Sequence, residues 1–128
     1  MKKEIENRED IYILVKSFYV KLMKDDLVGH FFEGFKDSSL LEEHLQILVD
    51  FWDNMLFFTG TYSKNAMKPH LDLHQKKPFV KEHFERWLLH FNTTVDEYFI
   101  GEIAQAAKSR ALSIATVMQI KVSEQNKL

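Results

Sequence analysis

The sequence contains no cysteine among its 128 residues, and it has no marked excess of charge of either sign. The first absence excludes a disulfide scaffold, a thiol nucleophile and any Cys-ligated zinc or iron–sulfur site. The net charge of −2 gives no basic field that would favour nucleic acid or an anionic membrane as a partner. No apolar run approaches the ~20 residues of a membrane span, and the charged start Met1-Lys2-Lys3-Glu4 does not resemble a signal peptide. We therefore expect a cytoplasmic protein.

Residues that break regular structure are also scarce, with two prolines and four glycines. Such a chain favours long uninterrupted elements. Aromatic residues are abundant instead: 11 phenylalanines, four tyrosines and two tryptophans. Side chains of this size either fill a large core or line the cavity of a flat ligand. The length fits one domain, and we expect residues 1–128 to form it, with frayed ends at about 1–6 and 123–128.

Apolar residues recur at helical spacing along most of the chain, and no strand-like alternation stands out. Asn7 is placed to cap the first helix. The motif Ser39-Leu40-Leu41-Glu42 fits a capping box that begins a second long helix. The pattern predicts an all-α domain whose further elements are a short segment Leu27–Phe35, a short helix from Ala66 to about His74, and helices over Val80–Phe99 and about Glu102–Val122.

Three polar-tipped side chains fall on or beside apolar helix faces. Tyr19 lies on the inner stripe of the first helix, His44 shares the inner face of the second, and Trp87 lies at the edge of a later one. Each alone is typical of a core residue with a local hydrogen-bond partner. Together they predict a polar cluster inside an aromatic cavity.

A flat iron porphyrin would explain such a cavity, because it needs an apolar wall and a histidine to hold its iron. The chain has six histidines, and His70 and His74 stand at positions i and i+4 on a short element between two long helices. Either of them can supply that ligand. The same spacing also permits a different metal site, in which His70 and His74 act with a carboxylate such as Asp72 or Glu82.

The ordered set of these residues resembles the truncated haemoglobins, most closely their group III. The resemblance extends from Ile11 to Val122. The chain has no Gly-Gly pair, as is typical of group III and unlike groups I and II. The resemblance is carried by Phe18-Tyr19, Phe31-Phe32, Glu43-His44 through Phe51-Trp52, His70-Leu71-Asp72-Leu73, and Glu82-His83-Phe84-Glu85-Arg86-Trp87-Leu88.

This resemblance implies a shortened globin fold with two-over-two helical packing around haem b. It implies that His70, or alternatively His74, is the proximal ligand of the iron. On the distal side it implies ligand-binding roles for Tyr19, His44 and Trp87. The residues expected to line the haem pocket are Phe18, Phe32, Leu48, Phe51 and Phe84. Lys68 is a candidate contact for a haem propionate.

The function that follows from the resemblance is binding of O2 and other small ligands such as NO, CO and cyanide. Donors such as the Tyr19 hydroxyl slow the release of a bound ligand. That property favours chemistry on the ligand, detoxification or sensing over oxygen transport. An NO dioxygenase-like or peroxidase-like activity with a reductase partner is compatible with it, and we expect a monomer or a weak dimer. The alternative class is an all-α interaction or regulatory module without a cofactor, in which the aromatic stripes are only core.

Overall fold

The computed structural model describes residues 2–57 and 80–126, and the side chains of residues 2–57 and 80–122. Within these ranges the regular structure is helical: α1 (Arg8–Lys24), a 3₁₀ helix (Gly29–Lys36), α2 (Ser38–Phe57), α3 (Lys81–Tyr98) and α4 (Glu102–Asn126). Strand-like pairing in the same ranges is limited to an isolated bridge between Lys3 and Phe99. The all-α prediction is confirmed, and the predicted short helix from Ala66 to His74 lies outside the described residues.

Helix α1 occupies the centre of the packing, against α2 on one side and α3 on the other. The 3₁₀ helix packs against α1 and α2, and α4 packs against α3. Among the described residues, no helix combines the length and the apolar character needed to cross a membrane. The largest fully buried side chains are Ile5, Ile11, Leu14, Val15, Tyr19, Leu22, Leu45, Val49, Phe91, Thr94 and Val95.

The start of α1 follows from its sequence. The side chain of Asn7 accepts a hydrogen bond of 2.9 Å from the backbone N–H of Asp10, which satisfies one of the unpaired donors of the first turn. Glu9 and Asp10 lie in that turn, where the helix dipole favours negative charge. The predicted cap is confirmed, as is the burial of the apolar stripe of Ile11, Leu14, Val15, Phe18, Tyr19 and Leu22.

The start of α2 differs from the prediction, which gave the cap to Ser39 with Glu42 completing a capping box. The helix begins at Ser38, and the preceding Asp37 supplies the cap. Its Oδ1 accepts from the backbone N–H groups of Ser39, at 2.9 Å, and Leu40, at 3.3 Å. It also accepts from the Ser39 hydroxyl at 2.7 Å. A carboxylate is a stronger acceptor than a hydroxyl, so Asp37 takes the role and Ser39 becomes one of its donors.

The short segment predicted at Leu27–Phe35 is the 3₁₀ helix Gly29–Lys36, which is entered through a tight turn. Gly29 makes this turn possible, because a Cβ there would lie 2.9 Å from the carbonyl oxygen of Met23. Helix α4 continues to Asn126, beyond the predicted end at Val122, and so covers much of the tail that we expected to be frayed.

Two residues of the N-terminal segment that we expected to be frayed, Glu4 and Ile5, are packed against the rest of the chain. Ile5 has no exposed surface. The carboxylate of Glu4 accepts from the backbone N–H groups of Ile103, at 3.0 Å, and Ala104, at 2.9 Å, and so caps α4. Gly101 precedes this cap with a φ of 128°, and a Cβ there would overlap the Glu4 carboxylate. Local sequence gave no sign of these contacts, because the partners of Glu4 lie about a hundred residues along the chain.

Candidate functional site

An apolar cavity lies between the end of α1, the 3₁₀ helix, α3 and α4. Phenylalanines from two elements form much of its wall, because the 3₁₀ helix and α3 each direct an aromatic stripe inward. Among the described residues of the lining, His83 and Trp87 are the only ones with polar side-chain atoms. The lining consists of Leu22, Val28, Phe31, Phe32, His83, Phe84, Trp87, Ile114, Ala115 and Met118. Such a wall excludes water and suits a large apolar group.

Next to Phe32 of this wall, Tyr19 and His44 form a hydrogen bond of 2.8 Å between the phenolic oxygen and Nε2. Tyr19 is 2% exposed, and α1 and α2 bring the pair together from separate elements. Burial raises the pKa of Tyr19 well above its ordinary value, so the phenol stays protonated and able to donate. The donor in this hydrogen bond is the Tyr19 hydroxyl or the Nε2–H of His44, according to the tautomer of the imidazole.

Aromatic rings surround this pair and fix its orientation. The edges of Phe18 and Phe32 meet the Tyr19 ring at centroid distances of 5.6 and 5.5 Å. Phe35 stacks on the imidazole of His44, with centroids 4.8 Å apart and planes inclined by 21°. The sequence reasoning did not assign Phe35 to the site, although its position three residues after Phe32 in an aromatic segment was a signal for it.

Trp87 joins the same aromatic cluster from α3. Its ring meets the edge of Phe18 at 5.4 Å and stacks on Phe91 at 6.0 Å. Phe91 in turn stacks on Trp52 of α2 at 5.0 Å. The structure therefore brings Tyr19 and His44 into direct contact and connects Trp87 to them through Phe18.

The comparisons with known proteins agree with this arrangement. A family model for bacterial-like globins matches residues 3–122. The group 3 truncated hemoglobin ctb of Campylobacter jejuni is 36% identical over 121 residues, which cover 93% of each chain. A crystal structure of the group III truncated hemoglobin from Campylobacter jejuni superposes with a TM-score of 0.84 at 33% identity, over 95% of each chain.

This chain belongs to the bacterial-like globins. The predicted shortened globin fold and the predicted likeness to group III truncated haemoglobins are both confirmed. Membership of the globin family implies a haem cofactor and binding of small ligands. The side chains of this globin fit haem, because the cavity wall is almost wholly apolar and two hydrogen-bonding groups, Tyr19 and His44, stand beside it.

The other predicted lining residues are distributed around the globin core. Phe84 forms part of the cavity wall. Phe18 is 4% and Leu48 8% exposed, so both belong to the core. Phe51 is partly buried and its ring meets the edge of Trp52 at 5.4 Å.

Both candidates for the proximal ligand, His70 and His74, lie outside the described residues, as do Lys68 and Asp72. In the described part of the globin, no group of three or more histidine, aspartate or glutamate side chains is arranged to hold a metal ion. The proximal assignment and the alternative metal site therefore remain predictions from the sequence.

His83 is a cavity residue that the sequence analysis did not assign to the site. Its Nδ1 accepts the backbone N–H of Val80 at 3.0 Å, which fixes the ring at the start of α3. Burial and the neighbouring His30 lower the pKa of His83, against a smaller opposing effect of Glu82. The imidazole is thereby favoured in its neutral form, which is compatible with an apolar wall.

Proposed function

We propose that this globin binds haem b through His70, with His74 as the alternative ligand. We further propose that Tyr19, His44 and Trp87 hydrogen-bond O2 and other small ligands such as NO, CO and cyanide. The observation that carries the proposal is the hydrogen bond of 2.8 Å between the buried Tyr19 and the partly buried His44, among phenylalanine rings beside the apolar cavity. Sequence similarity to a group 3 truncated hemoglobin supports it.

Haem, when bound, supplies an iron centre at which small ligands coordinate and electrons can be exchanged. The apolar wall contributes burial and exclusion of water. Among the residues expected to line the haem pocket, Phe32 and Phe84 belong to this wall. Neither can donate or accept a hydrogen bond through its side chain, so the orientation of a ligand depends on the polar residues.

The hydroxyl of Tyr19 acts as the donor, because the buried phenol keeps its proton. If Nε2 of His44 carries a hydrogen, His44 donates to the Tyr19 oxygen and the phenolic hydrogen turns toward the ligand. In the other tautomer, Tyr19 donates to His44 and must give up that bond before it can reach the ligand. Phe35, stacked on His44, holds the imidazole in place for either arrangement.

A ligand that accepts such a hydrogen bond leaves slowly. A buried donor of this kind contributes about 1–3 kcal/mol to retention of a partly anionic ligand. Slow release does not suit oxygen delivery and favours chemistry on the ligand, detoxification or sensing. Oxidation of NO and reduction of peroxide, with a reductase as electron source, are the two activities to assay.

The test is the absorption spectrum of the purified protein before and after addition of haemin, in the ferric and the reduced state. We expect a sharp Soret band that shifts on reduction and again on addition of carbon monoxide. Absence of a band, together with no saturable uptake of haemin, would refute the proposal and favour the cofactor-free helical module.

Two single variants distinguish the candidates for the proximal ligand. We expect His70→Ala to lose the ferrous CO spectrum of a histidine-ligated haem, and His74→Ala to retain it. His30→Ala, at an exposed histidine of the described chain, is the matched control for nonspecific loss of an imidazole. The reverse pattern would transfer the role to His74, and retention in both variants would remove both candidates.

A further inference from the structure

A single carboxylate joins three of the segments that surround the cavity. Asp25 ends α1, and its side chain is 3% exposed. Its Oδ2 accepts from Nε2 of His90 at 2.6 Å and from a guanidinium N–H of Arg86 at 2.8 Å, both on α3. Its Oδ1 accepts from the backbone N–H groups of Leu27, at 2.6 Å, and Val28, at 3.1 Å, which lead into the 3₁₀ helix.

Each of these segments carries part of the ligand pocket. Helix α1 carries Tyr19, three residues before the cavity residue Leu22. The turn held by Oδ1 contains the cavity residue Val28 and is followed by Phe32. On α3, Trp87 directly follows Arg86. The hydrogen bond from Arg86 to Asp25 therefore holds the helix backbone next to Trp87.

We propose that Asp25 is a positioning residue for the ligand pocket: through Arg86 and His90 it sets the place of Trp87 relative to α1 and Tyr19. The inference rests on the proposed function where it concerns ligand release, but its geometric part concerns the polypeptide alone. Asp25 does not itself reach the ligand, and its effect is transmitted through the packed helices.

The chemistry of the site requires a carboxylate and not merely a polar group of the same shape. Two oxygens receive four donors, and the guanidinium of Arg86 has no atom that accepts a hydrogen bond. An asparagine at this position would turn an NH2 group either toward α3 or toward the backbone N–H groups of the turn. In both orientations donors would face each other, and at least one of the connected segments would be released.

The packing around Trp87 makes its position sensitive to such a release. Its ring is held between Phe18, which it meets edge-on at 5.4 Å, and Phe91, on which it stacks. Phe18 also contacts Tyr19. Because packed cores transmit strain rather than absorb it, a small rotation of α3 changes the distance between the indole N–H and the Tyr19 hydroxyl.

The test compares Asp25→Asn with Glu97→Gln. Glu97 also connects α3 to α1, through an ion pair of 3.2 Å with Lys21, but its side chain is 46% exposed. The first readout uses haem-free protein labelled with 5-fluorotryptophan, whose two fluorine resonances are assigned with Trp87→Phe. We expect Asp25→Asn to shift the Trp87 resonance, and Glu97→Gln to leave it at the wild-type position.

The second readout is the rate of O2 release from the haem-loaded variants. Displacement of the Trp87 donor weakens its hydrogen bond without removing the group, which corresponds to roughly a threefold to tenfold faster release. We expect this change for Asp25→Asn and not for Glu97→Gln. Should Asp25→Asn fail to fold, Arg86→Met serves instead. The Arg86 side chain is 40% exposed, so its loss is tolerated more easily, and a smaller shift of the Trp87 resonance is expected.

The proposal is overturned if a folded Asp25→Asn or Arg86→Met protein loses thermal stability while its Trp87 resonance and its O2 release match the wild type. That result would make the cluster a purely stabilising contact. Failure of the wild type to take up haemin would refute the proposed function alone, because the fluorine resonances of the haem-free protein still decide the position of Trp87.

Discussion

Replacement of Tyr19 by phenylalanine isolates the hydroxyl on which the proposed function depends. The hydroxyl lies 2.8 Å from Nε2 of His44, and the residue is 2% exposed. The ring contacts with Phe18, Phe32 and Phe35 involve only carbon atoms that the variant keeps. Tyr19→Phe therefore removes one hydrogen bond and leaves the packing of the pocket nearly unchanged.

The size of the effect differs between folding and ligand release. Loss of a single hydrogen bond lowers the free energy of unfolding by about 0.5–1.5 kcal/mol. His44 is only partly buried, so water can replace the lost partner, and we expect the lower half of that range. For a bound ligand, loss of a buried donor worth about 1–3 kcal/mol corresponds to roughly 5- to 150-fold faster release.

The assay is stopped-flow displacement of O2 by carbon monoxide, combined with urea unfolding of the haem-free protein. Tyr98→Phe is the matched control, because that hydroxyl lies 3.4 Å from the Ser17 hydroxyl and its residue is 41% exposed. We expect the control to release O2 at the wild-type rate. A Tyr19→Phe protein with a normal haem spectrum and an unchanged release rate would refute the role of the hydroxyl.

Two further predictions concern stability. Burial acts to raise the pKa of Glu4, but hydrogen bonds from the first backbone N–H groups of α4 outweigh it and lower the pKa below 4.5. At neutral pH, Glu4→Gln should therefore lower the free energy of unfolding by about 0.5–1 kcal/mol. In urea titrations, the difference in free energy of unfolding between the variant and the wild type should shrink as the pH falls below 4.5, because Glu4 then becomes protonated. A difference that stays constant with pH would contradict this explanation. Gly29→Ala should lower the free energy of unfolding by about 1 kcal/mol or more, because the added Cβ is too close to the Met23 carbonyl oxygen. The control Gly34→Ala should leave the melting temperature unchanged, since nothing lies within 4 Å of its added Cβ. Equal effects of the two substitutions in thermal denaturation would refute the steric explanation.

The sequence was most informative where a feature depends on residues within one or two helical turns. The cap of α1 at Asn7 and the buried stripe that includes Tyr19 follow from local spacing, and both are confirmed. The shared interior of Tyr19 and His44 was predicted because each lies on the apolar face of its own helix. The hydrogen bond between them could not be read from those patterns, since it depends on how α1 and α2 cross.

Long-range and competing interactions explain what the sequence reasoning missed. Ile5 and Glu4 are ordered by contacts with the far end of the chain. The role of Asp25 could not be recognised from the sequence, because its donors on α3 are more than sixty residues away. At the start of α2, Asp37 and Ser39 are both suitable capping residues, and local propensity alone did not rank the carboxylate of Asp37 above the hydroxyl of Ser39.

The contact between Glu4 and Gly101 has a consequence for how this sequence can change. A side chain at 101 would occupy the space of the Glu4 carboxylate, and the φ of 128° disfavours it independently. A substitution at position 101 therefore displaces the Glu4 carboxylate and also removes the cap of α4. A shorter residue at position 4 removes the same cap but creates no steric clash with Gly101. The two positions form an epistatic pair with a preferred mutational order, in which position 4 changes before position 101.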